Sequence, residues 1–195
     1  MKVLIGCEES QAMCKAFRAL GHEAFSCDLQ ECSGGHPEWH IQGDIMQLLM
    51  SSLHWDRVIL HPDCTAMALS GNRWYGRGMP RHKERLDAIA WTVMLWNTAK
   101  DVSDGVVLEN PASVIFQHLD ADDVQYIQPW MFGHGECKKT GLALHNVSRL
   151  VPTNIVQGRE QRIWKMAPSP ERKKNRSKTF PGVAKAFAEQ IGGVK

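Results

Sequence analysis

Short apolar runs that stop at glycine, proline or acidic residues recur along this chain, with helix-like segments between them, and that alternation leaves few folds open. Lys2 to Gly6 is the first run; Ser10 follows as the cap of a helix in which Met13, Ala16, Phe17 and Leu20 share a face, closed by Gly21. Glu23 to Cys27 reads as a second strand ending at Asp28, and His40 to Gln42 as a third before Gly43-Asp44 and a short helix. Trp55 to Leu60 is the clearest buried strand, because Val58-Ile59-Leu60 is continuous and His61-Pro62 stops it. A long helix over Arg85 to Lys100, with Ile89, Val93 and Trp96 on one face, separates it from Gly105 to Leu108. Tyr126 to Phe132 and Gly141 to Asn146 are expected to close the sheet as a pair, and Val183 to Ile191 to form the last helix. The pattern predicts an α/β fold with a doubly wound, mostly parallel sheet.

The 195 residues fit a single domain, 1–195, large enough to bury a core. From Pro152 to Pro181 the periodicity vanishes, so an irregular basic surface loop is expected at about 152–181. A hydrophobic share of 43% argues against disorder, and no apolar run approaches bilayer length, so no membrane partner is expected. The apolar stretch at the N-terminus is too short for a signal peptide before it meets Glu8-Glu9. That predicts a cytoplasmic protein whose six cysteines are free thiols. Oligomeric state is not legible here.

In open α/β sheets ligands bind beyond the carboxyl ends of the strands, and this chain puts its unusual polar groups there. Asp28, ending the second strand, suits the ribose hydroxyls of a nucleoside cofactor, and Asp44 an adenine amine; solvated carboxylates or helix caps are equally open. The lack of G-x-G-x-x-G disfavours a dinucleotide. Cys64 follows a strand and a proline turn, and Glu109 ends the next strand, so both can line one pocket. A thiol whose thiolate is favoured attacks an electron-poor ring carbon, and a carboxylic acid delivers a proton to the ring. The alternative for Cys64 is a small buried hydrophobe. Between Thr65 and Lys83, Arg73 can meet phosphates and Trp74 or Tyr75 can stack on bases, which suits a lid over nucleic acid or a plain solvent loop. The run Arg172, Lys173, Lys174, Arg176 is a candidate phosphate contact or a solvated face. Cys27, Cys32, His36 and His40 have ligand-like spacing without a paired-cysteine knuckle, so no metal is expected.

Taken in order, these segments resemble the DNA (cytosine-5) methyltransferases, above all their short phage-type members. Gly6, Cys7, Glu8 and Ser10 stand where that family has its first cofactor loop, Asp28 where its ribose acid lies, and Asp44 where adenine is read. His61-Pro62-Asp63-Cys64 is similar to the Pro-Pro-Cys nucleophile motif, with Asp63 in place of a proline. Glu109-Asn110-Pro111 resembles Glu-Asn-Val. Lys138-Lys139 before Leu142-Ala143-Leu144 stand where the family carries arginines, and Phe180 to Ala184 resembles its last motif. Between those two segments only about forty residues remain, too few for the target-recognition domain that usual members insert.

The resemblance implies a Rossmann-like sheet of the S-adenosylmethionine-dependent methyltransferase type, with S-adenosylmethionine as cofactor and DNA as partner. It implies binding of the cofactor by Gly6, Cys7, Glu8, Ser10, Asp28, Asp44 and Pro62, and catalysis by Cys64 and Glu109. Asn110, Arg73, Trp74, Lys138, Lys139 and the basic run would meet substrate or DNA, with a cytosine flipped into the pocket. Two rivals stand beside it: a cofactor- or DNA-binding protein without catalysis, and a methyltransferase of free pyrimidine nucleotides.

Overall fold

Strand residues alternate between two faces, and here both faces are apolar. Val3 and Ile5, Ile59, Val107, and Leu142 and Leu144 fall in one buried cluster; Leu4, Val58 and Leu60, Val106 and Leu108, and Ala143 fall in the other. Such strands must be covered by helices on both sides, which is the demand a doubly wound sheet meets.

The computed structural model describes residues 1–51, 53–169 and 172–193, without the side chains of Lys173 and Lys174. Along the chain come β1 (Lys2–Gly6), α1 (Ala12–Ala19), β2 (Glu23–Asp28), β3 (His40–Gln42), α2 (Ile45–Leu49) and β4 (Arg57–Leu60). Then follow α3 (Asn72–Tyr75), α4 (His82–Asp101), β5 (Val106–Pro111), β6 (Asp123–Ile127) and β7 (Thr140–His145). The last elements are α5 (Arg162–Lys165), α6 (Arg172–Ser177) and α7 (Pro181–Gln190). They build a 7-stranded sheet in the order β3-β2-β1-β4-β5-β7-β6. All pairings are parallel except those of β7, which runs antiparallel to β5 and β6. Phe17 of α1 and Phe187 of α7 cover one face, and Leu49 of α2 and Trp96 of α4 the other.

Several expectations shift. The sixth strand runs over Asp123–Ile127 rather than starting at Tyr126, because Pro129 has no N–H to extend a ladder and opens a 3₁₀ turn. Ser10 is not the cap of α1: its hydroxyl reaches only the Ala12 N–H at 3.4 Å, and Gln11 occupies the cap position with φ 57°. The stretch expected to be irregular holds two short helices, and its basic run is α6.

The segment after Cys64 is tied down rather than loose. The buried Arg85 guanidinium donates to the carbonyls of Ala66 (2.7 Å) and Ala68 (3.3 Å) and to Asn72 Oδ1 (2.8 Å). On its other flank the Ser113 hydroxyl donates to the Met67 carbonyl. Replacing Arg85 by Ala removes all three of these hydrogen bonds from a charged, buried donor, so R85A is expected to lower unfolding free energy by about 2–3 kcal/mol, measured by urea denaturation.

Candidate functional site

The direction of strand order reverses between β1 and β4, the point at which open α/β sheets receive ligands. There Gly6 pairs with Leu60, and Leu60 with Leu108, so the residues just past them meet. The His61 N–H donates to the Gly6 carbonyl at 3.0 Å. Continuing the strand alternation, His61 follows Ile59 and Glu109 follows Val107 onto the face covered by α1 and α7. Their side chains meet, His61 Nδ1 to Glu109 Oε2 at 3.0 Å, with only 13% and 21% of the side chains exposed.

Burial pulls the imidazole pKa down, but the hydrogen bond and charge of Glu109, helped by Glu8, outweigh it and hold His61 above its ordinary value. Burial pushes Glu109 up, but the His61 hydrogen bond and charge, helped by Lys138, hold it below the usual carboxylate range. Each partner thus favours the charged form of the other. His61 Nε2 is buried and has no hydrogen-bond partner among the described residues.

The pair forms one wall of a narrow cleft. Lys138 and Thr140 add polar groups, while Met13, Phe180, Val183 and Phe187 make an apolar side. Lys138 Nζ donates to the carbonyls of Ser177 (3.3 Å) and Lys178 (3.1 Å), holding the end of α6 against this region.

Cys64 lies in the turn beyond His61 and is half-buried, outside the residues that form the cleft wall. Asp63 shapes that turn: its Oδ1 accepts from the Thr65 N–H (3.0 Å) and hydroxyl (2.6 Å). The Cys64 carbonyl accepts the N–H groups of Met67 and Ala68. Asn110, buried on the opposite face from Glu109, donates through Nδ2 to the carbonyl of the buried Pro62 at 3.1 Å. It holds the turn in place and is not among the cleft-wall residues. The expected thiolate is not favoured, because burial and then the charges of Asp63 and Glu109 push the Cys64 thiol up.

The first loop serves the fold as well as a ligand. A Cβ at Gly6 would come within 2.9 Å of the Ile45 and Leu60 side chains, which would have to shift to admit it. Glu8 turns inward: its carboxylate accepts the N–H groups of Met13 (2.6 Å) and Cys14 (3.2 Å), capping α1 in place of Ser10. Asp44 caps α2 through Met46 N at 2.9 Å. The carboxylate of the half-buried Asp28 accepts the Gln30 N–H (2.9 Å) through Oδ1, which leaves acceptor capacity for a sugar diol. Cys7 sits in the left-handed region at φ 60°, its thiol pushed up to about 12 by burial and then by Asp28, Cys27, Asp44 and Asp63. Acidic groups thus converge on the mouth of the first loop, a donor set that fits a cationic, ribose-bearing cofactor.

Of the expected nucleic-acid contacts, Arg73 and Trp74 lie on α3, with the guanidinium 5.4 Å from the ring and Trp74 53% exposed. Tyr75 is buried and belongs to the core. Lys139 stands 4.3 Å over the Tyr126 ring, away from Lys138. Arg172 and Arg176 are half-buried on α6; the side chains of Lys173 and Lys174 lie outside the described residues. Among the described residues no group of three or more His, Cys, Asp or Glu could hold a metal. Cys27 donates to the Gly43 carbonyl, and His40 bonds Ser26 and the Gln30 carbonyl. No helix among the described residues is long and apolar enough to cross a membrane.

Comparison with protein-family models and with curated protein sequences gives no match. Among solved structures, the chain is similar to a prophage-encoded E. coli protein designated a DNA modification methyltransferase. The two share a TM-score of 0.54 and 9% identity, over 80% of this chain and 52% of that one. It is also similar to the methyltransferase EhMeth of Entamoeba histolytica, with a TM-score of 0.52 and 11% identity, over 82% of this chain and 56% of that one. This is the Rossmann-like methyltransferase fold. The chain spans about half the length of each of these structures.

Sequence reasoning treated His61 as part of a motif and missed it as a partner of Glu109. The signal lay in parity, since His61 stands two residues past Ile59 and Glu109 two past Val107. Because Glu109 has a lowered pKa, its contribution to stability is present above the ordinary carboxylate range and lost as pH falls through the lowered value. The His61 contribution is present below the ordinary imidazole pKa and lost as pH rises through the raised one. E109Q should therefore cost about 2 kcal/mol at about pH 6 and distinctly less at about pH 9, measured by urea unfolding at both.

Proposed function

We propose that the protein transfers a methyl group from S-adenosylmethionine to carbon 5 of cytosine in DNA, through a covalent bond between the ring and Cys64. The observation that carries this reading is that Cys64 follows β4 in the turn beyond His61 while Glu109, on the adjoining β5, stands in the wall of a small, mainly apolar cleft. It stands on a fold shared with a DNA modification methyltransferase.

On this reading Asp28 would hold the cofactor ribose and Asp44 the adenine edge, with Gly6, Cys7, Ser10 and Pro62 as neighbouring backbone. Glu8 contributes by fixing α1 and by its charge. When bound, S-adenosylmethionine supplies an electrophilic methyl group. Cys64 Sγ bonds ring carbon 6, which makes carbon 5 electron-rich. Glu109 holds the ring nitrogen and gives it a proton, and the apolar side of the cleft keeps water from the ring. Loss of the carbon 5 proton and departure of Cys64 restore the aromatic ring. Trp74 and Arg73 on α3, Lys138 and Lys139, and the basic residues of α6 (Arg172, Lys173, Lys174, Arg176) supply stacking and phosphate contacts, and the base reaches the cleft by leaving the duplex.

A second reading, methylation of a free pyrimidine nucleotide, draws on the segment between β7 and α7. Among the described residues it holds only α5 and α6, and no recognition domain. Labelled methyl transfer to duplex DNA and to dCMP separates the two: the proposal expects product on DNA, and product on dCMP alone would replace it. C64S is expected to abolish transfer, more than 1000-fold below wild type, while cofactor binding by calorimetry stays unchanged. Full activity in C64S would remove the nucleophile.

A further inference from the structure

A half-buried thiol near carboxylates and a carboxylate whose pKa is held low are the opposite of what the first chemical step asks for. Cys64 is pushed toward the neutral thiol, and Glu109 must deliver a proton it does not carry at rest. The structure offers one proton within reach of that carboxylate. His61 Nδ1 lies 3.0 Å from Glu109 Oε2, both side chains largely enclosed, in the wall of the same cleft. The imidazole is held by its own backbone, through the His61 N–H to the Gly6 carbonyl (3.0 Å), and by the rigid strand before it. The charged groups facing it from the surrounding elements are Glu109 of β5, Glu8 of the loop before α1, and Lys138 of the segment before β7. The two carboxylates favour the cation and Lys138 opposes it.

We propose that His61 is the proton donor to Glu109, so that the carboxyl passing a proton to the cytosine ring is charged from His61 rather than from solvent. The inference rests on the cytosine-5 reading of the site given above. In the step it serves, the Cys64 Sγ–H bond breaks with its proton going to water, and an Sγ–C6 bond forms. The ring double bond moves from C5–C6 to C4–C5, and the C4–N3 pair collects a proton at N3. That proton comes from Glu109, which takes the one on His61 Nδ1; His61 is left neutral, with its remaining proton on Nε2. When Cys64 departs the ring, the N3 proton returns through Glu109 to His61, and the pair regains its ionised form. His61 does not touch the ring and acts only through Glu109.

The pH profile separates this role from a structural one. In the wild type, turnover needs both the Cys64 thiolate and the His61 imidazolium, so past the His61 pKa the growing thiolate is offset by the lost imidazolium and the rate levels off. In H61Q that donor is gone and the rate follows ionisation of the Cys64 thiol, so it rises with pH over the same range. At about pH 7 H61Q should be about 100-fold slower, the gap closing as pH rises. An H61Q profile parallel to wild type, at any rate, would overturn the relay, because a purely structural loss scales every pH equally. No transfer by the wild type to cytosine in DNA or in dCMP would overturn the cytosine-5 reading itself, and the relay with it. A readout independent of turnover is the ¹⁵N spectrum of His61 in the wild-type protein, with E109Q as comparison. An imidazolium at pH 7 that becomes neutral in E109Q supports the donor. A neutral His61 in the wild type at pH 7 overturns it, whether or not H61Q folds.

Discussion

The ion pair between His61 and Glu109 joins the ends of two central strands, and the character of the site follows from where that pair can form. Both residues continue strands whose alternate side chains are buried against α1 and α7, so neither can turn away without leaving the register of the sheet. Enclosed at 3.0 Å, each partner shifts the other toward its charged form against the burial that opposes it. The pair thereby sets one charged wall against the apolar side of a narrow cleft.

Around the pair the chain uses ordinary structural devices to fix the reactive turn. Asn110 on the far face ties the Pro62 carbonyl, Asp63 closes the turn with Thr65, and Arg85 binds the carbonyls that follow. Cys64 is thereby presented from a rigid loop, which suits a nucleophile that must meet one ring carbon. Lys138 performs the equivalent task on the opposite side, where its hydrogen bonds to Ser177 and Lys178 draw the basic helix α6 toward the cleft.

The sheet was legible in the sequence because burial on both faces leaves an unbroken apolar run, as at Val58-Ile59-Leu60, and each run ends in a turn residue. Periodicity says nothing about a run that stays buried after the ladder stops; hence the sixth strand was displaced toward Phe132, whose ring is core although Pro129 has ended pairing. Capping was misassigned to Ser10 because local spacing favours a hydroxyl, whereas the buried Glu8 reaches α1 from farther back in the loop. The placement of Cys64 and Glu109 at neighbouring strand ends was readable from order alone. The resting state of the thiol was not, since it depends on charges of Asp63 and Glu109 brought together only by folding.

The central claim is that Cys64 bonds to the cytosine ring, and covalent trapping tests it directly. A duplex bearing 5-fluorocytosine, incubated with the protein and S-adenosylmethionine, carries fluorine where a proton must leave, so the ring cannot release the cysteine. Mass spectrometry of the digested complex should then find the oligonucleotide attached to the peptide that contains Cys64. Methyl transfer to normal cytosine without any adduct on the fluorinated duplex, or an adduct mapped to a different cysteine, would contradict the account.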